Sequence, residues 1–128
     1  MGTVYIVQEP VKRDRATGEL VSTFDLTPAS RFGTLEFLLP PGPVMLSPHP
    51  MIIRLRQKLY KFSDNDFLVP VGDPSAIAAA AAIAAEFNVG QINLLKWDNR
   101  QGTYIEIKMN IFGREYTALP AKAGELAL

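Results

Sequence analysis

Residues 66–98 limit what this chain can fold into more than any other stretch. An apolar run, Phe67, Leu68, Val69 and Val71, leads into Gly72-Asp73-Pro74-Ser75, then into a segment of little but alanine and isoleucine, and a second apolar run ends in Leu94-Leu95-Lys96-Trp97-Asp98. Strand, turn, helix and strand in that order make a βαβ unit, whose parallel strands need a helix packed on the sheet. The expected fold class is therefore α/β. We expect a single small domain over residues 1–113, with a mainly parallel central sheet, flanking helices, right-handed crossovers (Rossmann-like) and an antiparallel hairpin strand at its carboxyl end. Residues 114–128, with Pro120 among scattered alanines and leucines, read as a tail without a clear pattern.

A chain of 128 residues is long enough to bury a real core. It has no cysteine, which excludes disulfides, thiolate metal sites and cysteine nucleophiles and fits a reducing compartment. Thirteen basic residues balance thirteen acidic ones, so no net field draws the chain to nucleic acid or anionic lipid. The amino end, Met1-Gly2-Thr3-Val4-Tyr5, runs straight into a strand pattern without the basic-then-apolar order of a secretory signal. The alanine segment is too short and too weakly apolar to span a bilayer. These features predict a soluble cytoplasmic protein that avoids membranes.

Residues 4–7 form a short buried strand closed by Pro10, and Asp14 to Glu19 form a polar turn from which Glu19-Leu20-Val21 returns as an edge strand. Thr27 followed by Pro28 reads as N-cap and first residue of a short helix that Gly33 stops. Residues 34–39 are the next strand. Pro40-Pro41-Gly42-Pro43 and Ser47-Pro48-His49-Pro50 then make a stiff connection. Ile52, Leu55, Leu59 and Phe62 recur three and four apart among cations, which predicts an amphipathic helix. Behind the glycine turn, Ile77, Ile83 and Phe87 share one side of the alanine helix, and Asn88 or Gly90 ends it in left-handed geometry. Tyr104 to Met109 alternates as the antiparallel partner of residues 92–97, with Glu106 and Lys108 on the solvent face.

Tyr5-Ile6-Val7-Gln8-Glu9-Pro10, Phe24-Asp25-Leu26-Thr27-Pro28, Gly72-Asp73-Pro74 and Leu94-Leu95-Lys96-Trp97-Asp98, in this order, resemble short α/β proteins encoded by tailed bacteriophages, many of them marine. The similarity extends to about Met109. It implies an accessory or host-interaction role in the host cytoplasm and transfers no catalytic or binding residue.

The ligand-binding candidates are Gly72, Asp73 and Ser75, because a turn at the carboxyl end of a parallel strand that opens a helix presents N–H groups to phosphates. Yet Asp73 and Pro74 are also ideal cap and first-turn residues, and no P-loop lysine or GxGxxG pattern follows. If three strands run parallel, Glu9, Asp73, Ser75 and Asp98 gather at one edge as a Mg²⁺ reading, although loop carboxylates are ordinarily solvated, and no metal or cofactor is expected. His49, the sole histidine, and Ser47 sit in a proline-bound loop that suits helix capping better than catalysis, so no catalytic residue is assigned. Arg54, Lys58 and Lys61 form a basic stripe suited to phosphates or an acidic partner, though a solvated helix face gives the same pattern. Trp97 and Tyr104 face each other across the last turn as a cross-strand pair.

The alanine face, Ala78, Ala81, Ala82 and Ala85, admits close approach by this fold or by another subunit, and is expected to be the interface of a homo-oligomer. The leading reading is a non-enzymatic phage accessory protein acting by protein–protein contact or self-association, with nucleic acid disfavoured as a partner. The alternative is a nucleotide- or phosphate-binding protein, Mg²⁺-dependent in one version, using the Gly72–Ser75 turn.

Overall fold

The apolar run near the amino end becomes the centre of the molecule. In a computed structural model that describes residues 2–43 and 47–113, the elements in chain order are β1 (Thr3–Gln8), β2 (Val11–Arg13), β3 (Leu20–Ser22), a 3-10 helix (Thr27–Phe32), β4 (Thr34–Leu39), α1 (His49–Leu59), β5 (Phe67–Val69), α2 (Pro74–Phe87), β6 (Gln91–Asp98) and β7 (Thr103–Asn110). β1 is buried from Val4 to Gln8 because parallel strands flank it on both sides, β4 on one and β5 on the other. Parallel β6 and antiparallel β7 complete the order β4-β1-β5-β6-β7. The expected α/β class, mainly parallel sheet and final antiparallel strand are all present. The tail expected over residues 114–128 lies outside the described residues.

Both α-helices lie on one face of the sheet. Leu55 and Leu59 of α1 and Ala76, Ala80, Ile83 and Ala84 of α2 close over Tyr5, Val7, Leu38 and Leu68. The opposite face, built on Val4, Ile6, Val69 and Leu95, is covered by Leu26 and Ala29 around the 3-10 helix, with Phe24 and Phe32 beside them. The connection leading from β1 out to β4 uses this second face, whereas the two that run the other way, through α1 and α2, use the first. A common crossover hand requires that division. The second face carries only a 3-10 helix, so a Rossmann-like arrangement with α-helices on both faces is not what the described residues form.

α2 turns its expected apolar side inward, with Ile83 buried and Ile77 and Phe87 packed against the core. Its innermost residues are Ala76, Ala80 and Ala84, each fully buried, and Ala85 is buried with them. Ala78 and Ala82 are exposed together with Ser75 and Glu86, while Ala81 is half-buried. Ala76, Ala80 and Ala84 therefore serve close approach of the helix to its own sheet, and of the four alanines expected at an interface, Ala85 is buried within the chain while Ala78 and Ala82 stay exposed. A helix lying over a sheet approaches most closely along its smallest residues, and Ala76, Ala80 and Ala84 share the side of Ile77, Ile83 and Phe87.

The helix ends also differ in detail. Pro28 lies in the first turn of the 3-10 helix, but Thr27 is inside that turn and does not cap it; instead the Asp25 carboxylate accepts from Thr27 N–H at 2.9 Å. At α1 the N-cap position is Pro48, with no side-chain cap from Ser47 or His49. At the end of α2, Gly90 N–H bonds to Ala85 C=O at 2.7 Å. Left-handed geometry falls on Val89 (φ 55°) and Gly90 (φ 86°), while Asn88 keeps φ −120°. The 6→1 bond is that of a Schellman motif, whose left-handed position follows the cap residue and here falls on valine.

A branched side chain at φ 55° costs about 1–2 kcal/mol, and Val89 is 55% exposed, so little packing offsets that strain. Val89→Gly is therefore expected to raise stability by about 1 kcal/mol in urea denaturation. Gly90→Ala is expected to lower it, since a β-carbon there would lie 2.6 Å from the Phe112 ring; a loss of stability in Val89→Gly would contradict the assignment.

Candidate functional site

The carboxyl ends of β1, β5 and β6 meet at one edge of the sheet, where open α/β folds bind ligands. The Gly72 turn lies there, as expected from its sequence. Asp73 caps α2, its carboxylate accepting from Ser75 N–H at 2.8 Å. The Asp73 N–H is held as well, by Gln8 Oε1 at 2.6 Å. Two of the donors a phosphate would use are thus engaged within the chain.

Gln8 organises this edge. Its side chain is buried, and its amide also donates to the carbonyls of Pro40 at 3.0 Å and Gly42 at 2.7 Å. Only one amide orientation serves all three partners, with oxygen toward the N–H and nitrogen toward the two carbonyls. Gly72 takes φ 123°, and a β-carbon there would lie 2.6 Å from Gln8 Oε1 and 2.7 Å from Gln8 Cβ. The glycine is required by the packing of this glutamine.

The carboxylates near this edge occupy separate turns. Asp98 accepts from Arg100 N–H at 2.9 Å, Asp73 caps α2, and Glu9 lines a cleft beside Thr23. Among the described residues no three histidines or carboxylates gather where a metal ion would sit. Glu9, Asp73, Ser75 and Asp98 thus share an edge without forming a cluster.

The basic stripe lies against β4. Arg54 Nε donates to Leu38 C=O at 3.1 Å, and Lys58 Nζ donates to Phe37 C=O at 3.1 Å. Lys61 lies over the Tyr60 ring, 5.4 Å from its centroid. Beside the stripe, Arg56 makes a two-pronged bond to the Glu86 carboxylate at 3.0 and 2.8 Å. That guanidinium holds Glu86 below the usual carboxylate range. Two of the stripe's three cations are therefore spent closing the outer edge of the sheet.

Trp97 and Tyr104 are directly opposed on β6 and β7, edge to face with ring centroids 5.0 Å apart. Phe24 also packs edge to face with Trp97, centroids 5.3 Å apart. These rings, with Val69, Val71 and Leu95, line a small apolar cavity of about 220 Å³. Tyr104 is buried, and its hydroxyl has no hydrogen-bond partner among the described residues. Burial, then the nearby Asp25 carboxylate, raises its pKa.

Two larger clefts open at the surface. One of about 580 Å³ lies between the base of the β2–β3 hairpin and β4, lined by Glu9, Thr23, Asp25, Leu35 and Phe37. The other, about 700 Å³, lies between Pro40–Pro43 and α1, with Met51, Ile53 and Arg54 on its wall.

A family model described as Phage Pam3 gp32-like protein matches residues 2–111. The chain belongs to this phage family. The match spans the sheet, both helices and the hairpin, and it bears out the resemblance to phage-encoded proteins seen in the sequence. No curated protein and no solved structure matches the chain.

Sequence reasoning passed over Gln8. Its one signal was a polar side chain ending an apolar run in phase with Val4 and Ile6, and nothing local distinguishes that from a strand end in water. A direct check is Gln8→Glu, which replaces the donor facing two carbonyls with an oxygen. The expected loss at neutral pH is about 2–4 kcal/mol in urea denaturation. Burial against carbonyls raises that carboxyl's folded pKa above its unfolded value near 4.3. The deficit relative to wild type should therefore be smallest below about pH 4.3, grow as pH rises from there through the raised folded pKa, and level off above it; a pH-independent deficit would argue against the clamp.

Tyr104→Phe removes a buried hydroxyl that lacks a partner. Stability is expected to hold or rise by up to about 1 kcal/mol. A loss of similar size, read from the denaturation midpoint, would mean that the hydroxyl is satisfied.

Proposed function

We propose that this phage protein is a non-enzymatic accessory module that acts in the cytoplasm of the infected cell by binding another protein, with the β2–β3 hairpin as its contact arm. The observation that carries this reading is the exposure of the hairpin. Apart from Val11 and Asp14, every residue from 11 to 22 is exposed, including Leu20 at 53% and Val21 at 37%. A two-stranded ribbon of this size is marginal alone, and this one contributes none of the buried core residues. Its hydrogen bonds close the ribbon itself, with Asp14 N–H to Glu19 C=O at 2.8 Å and Thr23 N–H to Pro10 C=O at 2.8 Å. Apolar side chains held out on a tied ribbon, beside the cleft that ends at exposed Phe37, fit a partner's surface.

The occupied donors of the Gly72 turn and the dispersed carboxylates support a binding role over chemistry at the sheet edge. The test is affinity capture from host cells infected with the phage that encodes the chain, comparing wild type with Leu20→Glu/Val21→Lys. The variant is expected to keep the wild-type melting temperature within a few degrees, since surface changes cost about 0.5 kcal/mol or less. It should also lose a specific partner that wild type retains. Equal capture by both proteins, or none by wild type, would overturn the proposal.

A further inference from the structure

The sheet has two edges, and they are treated differently. At β4, Arg54 and Lys58 cover main-chain carbonyls. At β7 the ladder leaves a central window open. Ile111 N–H bonds to Gly90 C=O, one step beyond the paired run, which sets the hydrogen-bonding phase. Odd-numbered residues of β7 turn their N–H and C=O toward β6, and even-numbered ones turn theirs outward. Two contacts agree with this phase. The Tyr104 carbonyl accepts from Arg31 at 3.5 Å, and the Asn110 carbonyl accepts from Gly113 N–H at 3.1 Å. Between these two closed ends lie the outward main-chain groups of Glu106 and Lys108, for which no covering contact is found among the described residues.

We propose that this window pairs antiparallel with the same strand of a second copy, about a two-fold axis through Ile107. In that register Glu106 stands opposite the other copy's Lys108, and Lys108 opposite its Glu106. Four main-chain hydrogen bonds form, and two opposite-charge pairs lie across the new seam. Registers shifted by two residues that keep the same phase place Glu106 on Glu106 or Lys108 on Lys108, and like charges directly opposed are unfavourable. On the other face the register sets Ile105 against the other copy's Met109 and Ile107 against itself. Ile105, 37% exposed in one chain, is covered in the pair. Among the described residues Glu106 and Lys108 pair with each other, at 3.7 Å and both exposed, so pairing adds opposite-charge contacts to a pattern that is self-complementary under a two-fold axis. The same charges deter indiscriminate edge pairing.

This interface is separate from the hairpin and independent of its partner. The test is sedimentation velocity of the full chain over about a hundredfold concentration range reaching high micromolar, with four proteins. Wild type and the swapped Glu106→Lys/Lys108→Glu are expected to dimerise. Glu106→Lys and Lys108→Glu are each expected to weaken dimerisation by about tenfold or more, because each turns both pairs repulsive. Mixing the two single variants should restore the dimer as a heterodimer, and salt should weaken every charge-paired form. Far-ultraviolet circular dichroism confirms that each exposed variant stays folded. A wild-type monomer throughout the range, or dimers indifferent to all the substitutions, would overturn the proposal; so would single variants that fail to recover on mixing.

Discussion

A buried side-chain amide must satisfy its donors and its acceptor inside the protein, and at Gln8 that requirement joins three remote segments. β1 ends there, α2 starts there through the Asp73 N–H, and the proline-rich connection is held by two of its carbonyls. At the amino ends of the same strands Asp66 has the matching role. Its buried carboxylate accepts from Thr3 N–H and Ser63 N–H, each at 2.8 Å. Hydrophobic burial stacks the strands without direction, whereas these polar contacts fix which loop meets which strand end.

The elements were legible where their signals are local. Asp73-Pro74 started α2 as expected, the alternation at residues 104–109 became β7, and Ile52, Leu55, Leu59 and Phe62 turned inward as their spacing required. Less legible was anything decided by a distant neighbour. Ala85 of α2 is buried off the side that Ile77, Ile83 and Phe87 share, by neighbours that its own helix does not reveal. Arg54 and Lys58 resembled a solvated basic face because the carbonyls they serve belong to a strand more than a dozen residues earlier. The glycine of the Gly72 turn suggested a ligand because its real neighbour, Gln8, lies 64 residues away, as the numbering shows. For the candidate site, sequence placed the Gly72 turn at the end of the parallel strands, where the structure has it, but missed Gln8, which organises that edge.

Both ends of α2 involve compromise. At its start the cap and Gln8 occupy main-chain donors that other α/β proteins offer to phosphates. At its end a valine takes a conformation better suited to glycine, where Gly90 must follow closely beneath Phe112. The fold can hold such a position because Val89 is exposed and the strand beyond it is paired along all eight residues of β6.

The hairpin contributes no residue to the core, and the core does not constrain the hairpin. Substitutions between residues 11 and 22 are therefore expected to be nearly silent for folding. Strands β1, β5 and β6 are fixed by packing and must change together or not at all. One chain thus divides into a body whose strands are coupled by packing and an arm whose side chains the fold leaves largely unconstrained.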